Sequence, residues 1–245
     1  MFLPSPTPVP SMAWCLADCS TTLLTVPGLE APFHAMGTEG EIRGERLHAM
    51  HHVPVLSEEV IHHLGPGAGM TIVDATLGGA GHAHAILERG ARLIGFDRDP
   101  EALVRAGTRL SQFSDAAVLR QRNFSDLLVA GREIAPDGVD GILLDLGVSS
   151  HQLDTAERGF SLRSRGPLDM RMDPGERLTA AELVNEWEEA DLARIFHELG
   201  EERKSRAVAG EIVRRRSEKP FRDTLDLADC VARVVGRKGR IHPAT

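Results

Sequence analysis

Tyrosine is missing altogether, and aromatic residues make up only 4% of the 245, so a ring standing in a polar turn asks for a reason. Cysteine is scarce too. The three present, Cys15, Cys19 and Cys230, are an odd number, and no second pair with metal-ligand spacing follows the first two. That sets aside a disulfide framework and a zinc cluster, and makes a reducing cytoplasm the default setting. Basic charge falls short of acidic, with 28 Lys and Arg against 36 Asp and Glu for a net −8, which excludes phosphate affinity spread over the whole surface. No apolar run approaches the roughly 20 residues a membrane span requires. A signal peptide is not expected either, because no basic residues precede the short apolar pieces near the start, where Pro4, Pro6, Pro8 and Pro10 crowd the chain.

What is present is a 42% apolar content, enough for the core of one large domain or of a domain with an insertion. Residues 1–47 are rich in Pro, Ser, Thr and Gly without a sustained period and read as a disordered extension, with Met36 or Met50 as candidate true starts. The organising stretch is 70–100. A β-branched run (71–73) ends in Asp74, a turn carries Gly78, Gly79 and Gly81, a helix-like run covers 82–88, and a second apolar run (93–96) is closed by Asp97. This β-turn-α-β order favours parallel strands, and in such sheets ligands bind beyond the carboxyl ends of the strands. His82 and Ala83 follow the glycines where a dinucleotide fingerprint wants a third spaced glycine, so a pyrophosphate is disfavoured. An adenosine diol without a phosphate, as in S-adenosylmethionine, fits an acidic wall better.

Upstream, Ser57 is a candidate N-cap for a helix over 58–64 with Glu58 and Glu59 in its first turn. Downstream, the pattern predicts a helix over 101–110, a strand over 117–120, a turn at Asn123, Phe124 and Ser125, a helix over 126–134 and a strand over 141–147 containing Asp145. Four strands would thus deliver Asp74, Asp97, Phe124 and Asp145 to one sheet edge, the kind of convergent set a pocket needs. Phe124 reads as a stacking ring for a purine or as core. Residues 148–174 form a long polar loop with Phe160, Leu162, Leu168, Met170 and Met172 among its charges, and are read as a packed active-site loop. Helices are predicted over 180–188, 190–199, 202–217 and 225–235.

Seven histidines, at 48, 51, 52, 62, 63, 82 and 84, have no carboxylate or cysteine completing a ligand pattern, so no metal site is assigned. Residues 203–240 carry twelve Lys and Arg against five Asp and Glu, including Arg214, Arg215 and Arg216. This is either a local RNA-binding face or a solvated helix face.

Five stretches, 74–82, 97–100, 141–150, 158–161 and 166–173, resemble the ribosomal RNA small-subunit methyltransferase H family, with the match running from about His51 to the end. The resemblance implies a class I, Rossmann-like α/β methyltransferase with a mostly parallel sheet and an inserted helical subdomain. Its implied divisions are a core over 48–155, with the first four strands, and an active-site loop with a helical substrate-binding subdomain over 156–245. It further implies S-adenosylmethionine as cofactor, contacted at Ala80, Gly81, His82, Asp97, Phe124, Asp145 and Gln152, and N4-methylation of a cytidine in small-subunit (16S) rRNA, free or in an assembling 30S subunit. Ala80 and Ala83 stand where relatives often carry Gly and Ser, and His151 where Pro is frequent. The family pattern also continues beyond the His-Pro-Ala at 242–244, so the chain reads as a C-terminally truncated member.

On that footing Asp145 is the candidate catalytic residue, accepting the amine hydrogens together with the carbonyls of Leu146 and Gly147, or else it is a cofactor contact only. The alternatives carried alongside are a cofactor-binding but catalytically impaired fragment, a methyltransferase acting on DNA or protein, and a dinucleotide oxidoreductase. The DNA reading lacks the Asn/Asp-Pro-Pro-aromatic motif, since Asp145, Leu146 and Gly147 occupy its place.

Overall fold

A computed structural model describes residues 21–25, 54–236, 242 and 244. They fall into two compact units, each treated by itself. One holds the described residues up to Leu146 together with Met172–Pro174, and the other holds Gly147–Arg171 and those from Gly175 onward. The sequence reading put the division after residue 155; the compact units divide just after the strand that ends in Asp145.

The first unit is a five-stranded sheet built from β1 (Thr21–Thr25), β2 (Thr71–Asp74), β3 (Arg92–Asp97), β4 (Ala117–Gln121) and β5 (Gly141–Asp145). Its order is β1-β5-β2-β3-β4, with β1 antiparallel to β5 and every other pair parallel. Helices α1 (Ser57–Leu64), α2 (Gly81–Glu88), α3 (Pro100–Arg109) and α4 (Leu127–Ile134) alternate with the strands. β2, β3 and β5 read as apolar runs because both faces are covered. Ile72, Leu93 and Leu143 pack with Val60, Ile61 and Leu64 of α1 and Ala83, Ile86 and Leu87 of α2. Their neighbours one residue along, Val73, Ile94 and Ile142, point the other way and pack with Ala130 and Leu127 of α4. Period-two alternation within each run thus sorts its side chains between two cores.

The second unit is helical: α5 (Ser150–Asp154), α6 (Ala180–Glu186), α7 (Glu189–Glu198), α8 (Ser205–Glu218) and α9 (Thr224–Val235). Leu168, Val184, Leu192, Val208, Ala209, Ile212, Phe221 and Cys230 form its core. Asp223 caps α9 by accepting from the Asp226 N–H at 2.9 Å, and Thr179 and Glu182 close a reciprocal capping box on α6.

Three expectations are corrected. Ser57 is not the cap of α1; it lies inside the helix, and Leu56 precedes it in the left-handed region with φ 51 and makes no side-chain cap. The loop at 148–174 opens with α5 and a single 3-10 turn, Ala156–Arg158, because Ser149 and Gln152 form a capping box that nucleates a helix there. Of the extension read as disordered, Thr21–Thr25 pairs with β5, and the rest of 1–47, with Cys15 and Cys19, lies outside the described residues. So do His48, His51 and His52.

Candidate functional site

Parallel pairing puts the carboxyl ends of β2, β3, β4 and β5 on one edge, and the backbone beyond them is stitched together. Past β2, the Ala75 N–H donates to the Leu143 carbonyl at 3.0 Å and the Leu77 N–H to the Phe96 carbonyl at 2.9 Å. The chain then turns back through two left-handed residues, Gly78 with φ 51 and Ala80 with φ 57. Ala80 is a Cβ-bearing residue in a conformation glycine favours. Gly81 opens α2 against Pro54, where a Cβ would collide with the proline ring.

Asp97 ends β3 with both carboxylate oxygens engaged. Oδ2 accepts from the Gly78 N–H at 2.8 Å and Oδ1 from the Asp99 N–H at 2.9 Å. Burial pushes this carboxyl above its ordinary range in spite of those donors. Each oxygen retains a second lone pair for a hydroxyl. Asp74, 1% exposed, is driven further: burial raises it to about 7, with Asp97 and Asp145 adding to the rise, while the Thr76 N–H and His82 oppose it. Asp145 closes β5, its N–H donating to Thr76 Oγ1 at 2.7 Å. The His82 ring approaches it, Nε2 lying 3.6 Å from Asp145 Oδ2. Phe124 follows β4 in a 3-10 turn capped by Asn123, whose side chain accepts from the Ser125 N–H, and it is 45% exposed. This settles its two readings against the core.

The first unit therefore brings together Ala80, Gly81, His82, Asp97, Phe124 and Asp145 at one strand-end edge. Such an edge has a short turn for close backbone approach, a helix start, an acid at the ends of β3 and β5 on either side of β2, and an open ring. Chemically it suits a diol-bearing nucleoside rather than a polyphosphate.

Over residues 49–245 the sequence matches the MraW methylase family. The chain belongs to that family. It is 52% identical over 200 residues to the ribosomal RNA small subunit methyltransferase H of Geotalea daltonii, covering 79% of this chain and 64% of that protein. With the protein of the same name from Geotalea uraniireducens it shares 50% over 201 residues, covering 80% and 64%, and with that of Carboxydothermus hydrogenoformans 49% over 196 residues, covering 79% and 63%. The chain thus spans about 64% of the length of the curated relatives it matches. Among solved structures, one described as a putative rRNA-methylase from Clostridium thermocellum is 22% identical over 30% of this chain and 41% of that one, with a TM-score of 0.27, an overlap too small to carry an argument.

Other positions in this MraW-family chain fare differently. Gln152 belongs to the helical unit, where it is buried and its side-chain Oε1 accepts from the Ser149 N–H at 3.0 Å in the capping box. In the same unit residues 158–161 and 166–171 close on one another: the Met170 N–H donates to the Arg158 carbonyl, and Gly166 exchanges hydrogen bonds with Thr224, its carbonyl accepting at 2.9 Å and its N–H donating to Oγ1 at 3.2 Å. A Cβ on Gly166 would strike the Ala156 carbonyl. Asp169 receives a two-pronged bond from Arg171, at 2.8 and 2.7 Å, which holds its carboxyl below the usual range. Of the loop's apolar residues, Leu168 is buried in the core of the helical unit.

The cations of the basic run divide by what they touch. Arg214 pairs with Glu211 and Glu218, Arg215 pairs with Asp226 and covers the Phe221 ring at 3.9 Å, and Arg216 donates to the Val184 carbonyl. The triplet is engaged within the protein, leaving Arg203, Arg206, Lys219 and Arg222 as its exposed neighbours.

Sequence reasoning underweighted two residues. Thr76 anchors Asp145, and its signal was its place two residues past Asp74. Asp173 groups with the sheet and accepts from Gln121 Nε2, at the end of β4, at 3.5 Å; its membership of the 166–173 stretch pointed to the loop instead. Among the described residues no group of three His, Cys, Asp or Glu is placed to hold a metal ion, and no helix is long and apolar enough to cross a membrane.

Proposed function

We propose that the chain is the nucleoside-binding part of an S-adenosylmethionine-dependent methyltransferase acting on the exocyclic N4 of a cytidine in small-subunit rRNA, free or in an assembling 30S subunit. The observation that carries this is the convergence of Gly81, Asp97, Phe124 and Asp145 at one strand-end edge in a member of a methylase family. The cofactor fits what is there: Asp97 has lone pairs for the ribose hydroxyls, Phe124 is open for adenine, and α2 begins at this edge with no side chain capping it. Bound there, S-adenosylmethionine supplies an electrophilic methyl on a positively charged sulfur.

A cytosine amine is a weak nucleophile because its lone pair is delocalised into the ring, so positioning is the task left to the protein. Asp145 accepts the amine hydrogens, favours a pyramidal nitrogen and holds it in line with the methyl. The base must leave its stack to reach this edge. Exposed Arg203, Arg206, Lys219 and Arg222 suit phosphates, which position RNA without reading its sequence.

The test is transfer of labelled methyl to 30S subunits, with the modified nucleotide mapped by mass spectrometry, for the parent and for Asp145→Asn. N4-methylcytidine from the parent, lowered at least about 100-fold in the variant with cofactor affinity kept, is the expected result. Full transfer by Asp145→Asn contradicts the role of Asp145. Cofactor binding without transfer points to a binding fragment.

A further inference from the structure

His82 is a buried polar side chain without a hydrogen-bond partner among the described residues. The residue is 6% exposed, and neither ring nitrogen makes a hydrogen bond to any described residue. Its Nε2, at 3.6 Å from Asp145 Oδ2, stops just short of bonding distance. A buried imidazole in that condition costs free energy that an apolar side chain would not. The fold nonetheless fixes it there: Gly81 and His82 open α2, and Ala83, Ile86 and Leu87 on the same helix are locked into the core. Its neighbourhood is acidic. Asp74 on β2 interacts with His82, with Asp97 on β3 and with Asp145 on β5, and Arg105 on α3 acts on Asp97.

We propose that His82 is the positioning residue for Asp145, turning that carboxylate toward the incoming amine and receiving through it the proton the amine nitrogen sheds. This deepens the methyl-transfer reading and rests on it. In the step, a nitrogen–carbon bond forms and the carbon–sulfur bond breaks, its electron pair going to sulfur. The nitrogen is left positive and with one proton too many. That proton passes to Asp145 and from Oδ2 to His82 Nε2 as positive charge disappears from the sulfur, so the pocket carries the same net charge before and after. Two positive charges in one poorly hydrated site repel strongly. A charged sulfur and a proton on His82 are therefore alternatives.

The consequence is measurable without turnover. Calorimetric titration of the chain with S-adenosylmethionine and with S-adenosylhomocysteine, each in two buffers of different ionisation heat, counts the protons exchanged on binding. At one fixed pH, the uncharged homocysteine form is expected to take up as much as about one proton more than the charged form. His82→Gln and Asp145→Asn should each bring the two counts together, and Asp74→Asn should leave them apart. Equal counts in the parent overturn the proposal while leaving the cofactor assignment intact. A difference that survives His82→Gln and vanishes in Asp74→Asn also overturns it, since the proton then belongs to Asp74. If neither ligand binds, the methyl-transfer reading itself fails. Should the His82 variant not fold, the partly exposed Asp145 position gives the same readout.

Discussion

Asp74 gathers the electrostatics of the strand-end edge into one side chain. Burial lifts its carboxyl from the ordinary 3.8 to about 7, so the folded chain keeps a proton that the unfolded chain has released. A folded-state pKa above the unfolded one makes stability fall as pH rises through that window, from about 4 toward 7, and restores it below. Asp74→Asn should remove this dependence. The stability advantage of the variant over the parent is expected to grow by on the order of a few kcal/mol between about pH 4.5 and 7.5, read from denaturant midpoints at unchanged slope. An advantage that stays flat would mean that the carboxyl ionises normally. Asp97 shifts in the same direction but accepts two backbone N–H bonds, and these are what let an acid at a strand end stay available to a ligand.

At the level of elements, the helical unit separates charge that serves packing from charge that faces water. Arg215 pairs with Asp226, covers Phe221, and has a side chain only 14% exposed. Arg214, beside it in sequence, makes surface pairs at 2.8 Å. Removing one partner of a largely buried pair strands the other. Arg215→Ala is therefore expected to lower stability by roughly 2–4 kcal/mol, mostly from lost pairing and ring contact, while Arg214→Ala leaves the thermal midpoint where ordinary surface substitutions leave it. Equal effects would contradict this division. The same contrast explains what the sequence could and could not reveal. Ile72 and Val73, Leu93 and Ile94, and Ile142 and Leu143 mark their strands by local pattern alone, and the predicted helices differ from those observed by three residues or fewer at either end. The partners of Arg215 lie on another helix and in the loop before it, which a tally of charges does not contain. Ser57 looked like a cap because its chemistry suits one, but the left-handed Leu56 starts the helix a residue earlier. Ser149 and Gln152 did show a capping spacing, and the resemblance directed attention to Gln152 as a ligand contact instead.

For the whole molecule, a net charge of −8 requires that affinity for a polyanion come from a local set of cations, with a correspondingly modest salt dependence. The acidic strand-end edge has the opposite taste, and suits a ligand carrying positive charge. The account stands on that edge being a nucleoside site. Its most direct test is equilibrium titration of the chain with S-adenosylhomocysteine and, separately, with NADH, repeated for Asp97→Ala and Phe124→Ala after far-UV circular dichroism has established that each variant folds. The account predicts one saturable site for S-adenosylhomocysteine, weakened about tenfold or more by either substitution, a loss of roughly 1.4 kcal/mol or more, and no comparable site for NADH. Tight NADH binding, or S-adenosylhomocysteine affinity indifferent to both substitutions, would contradict it.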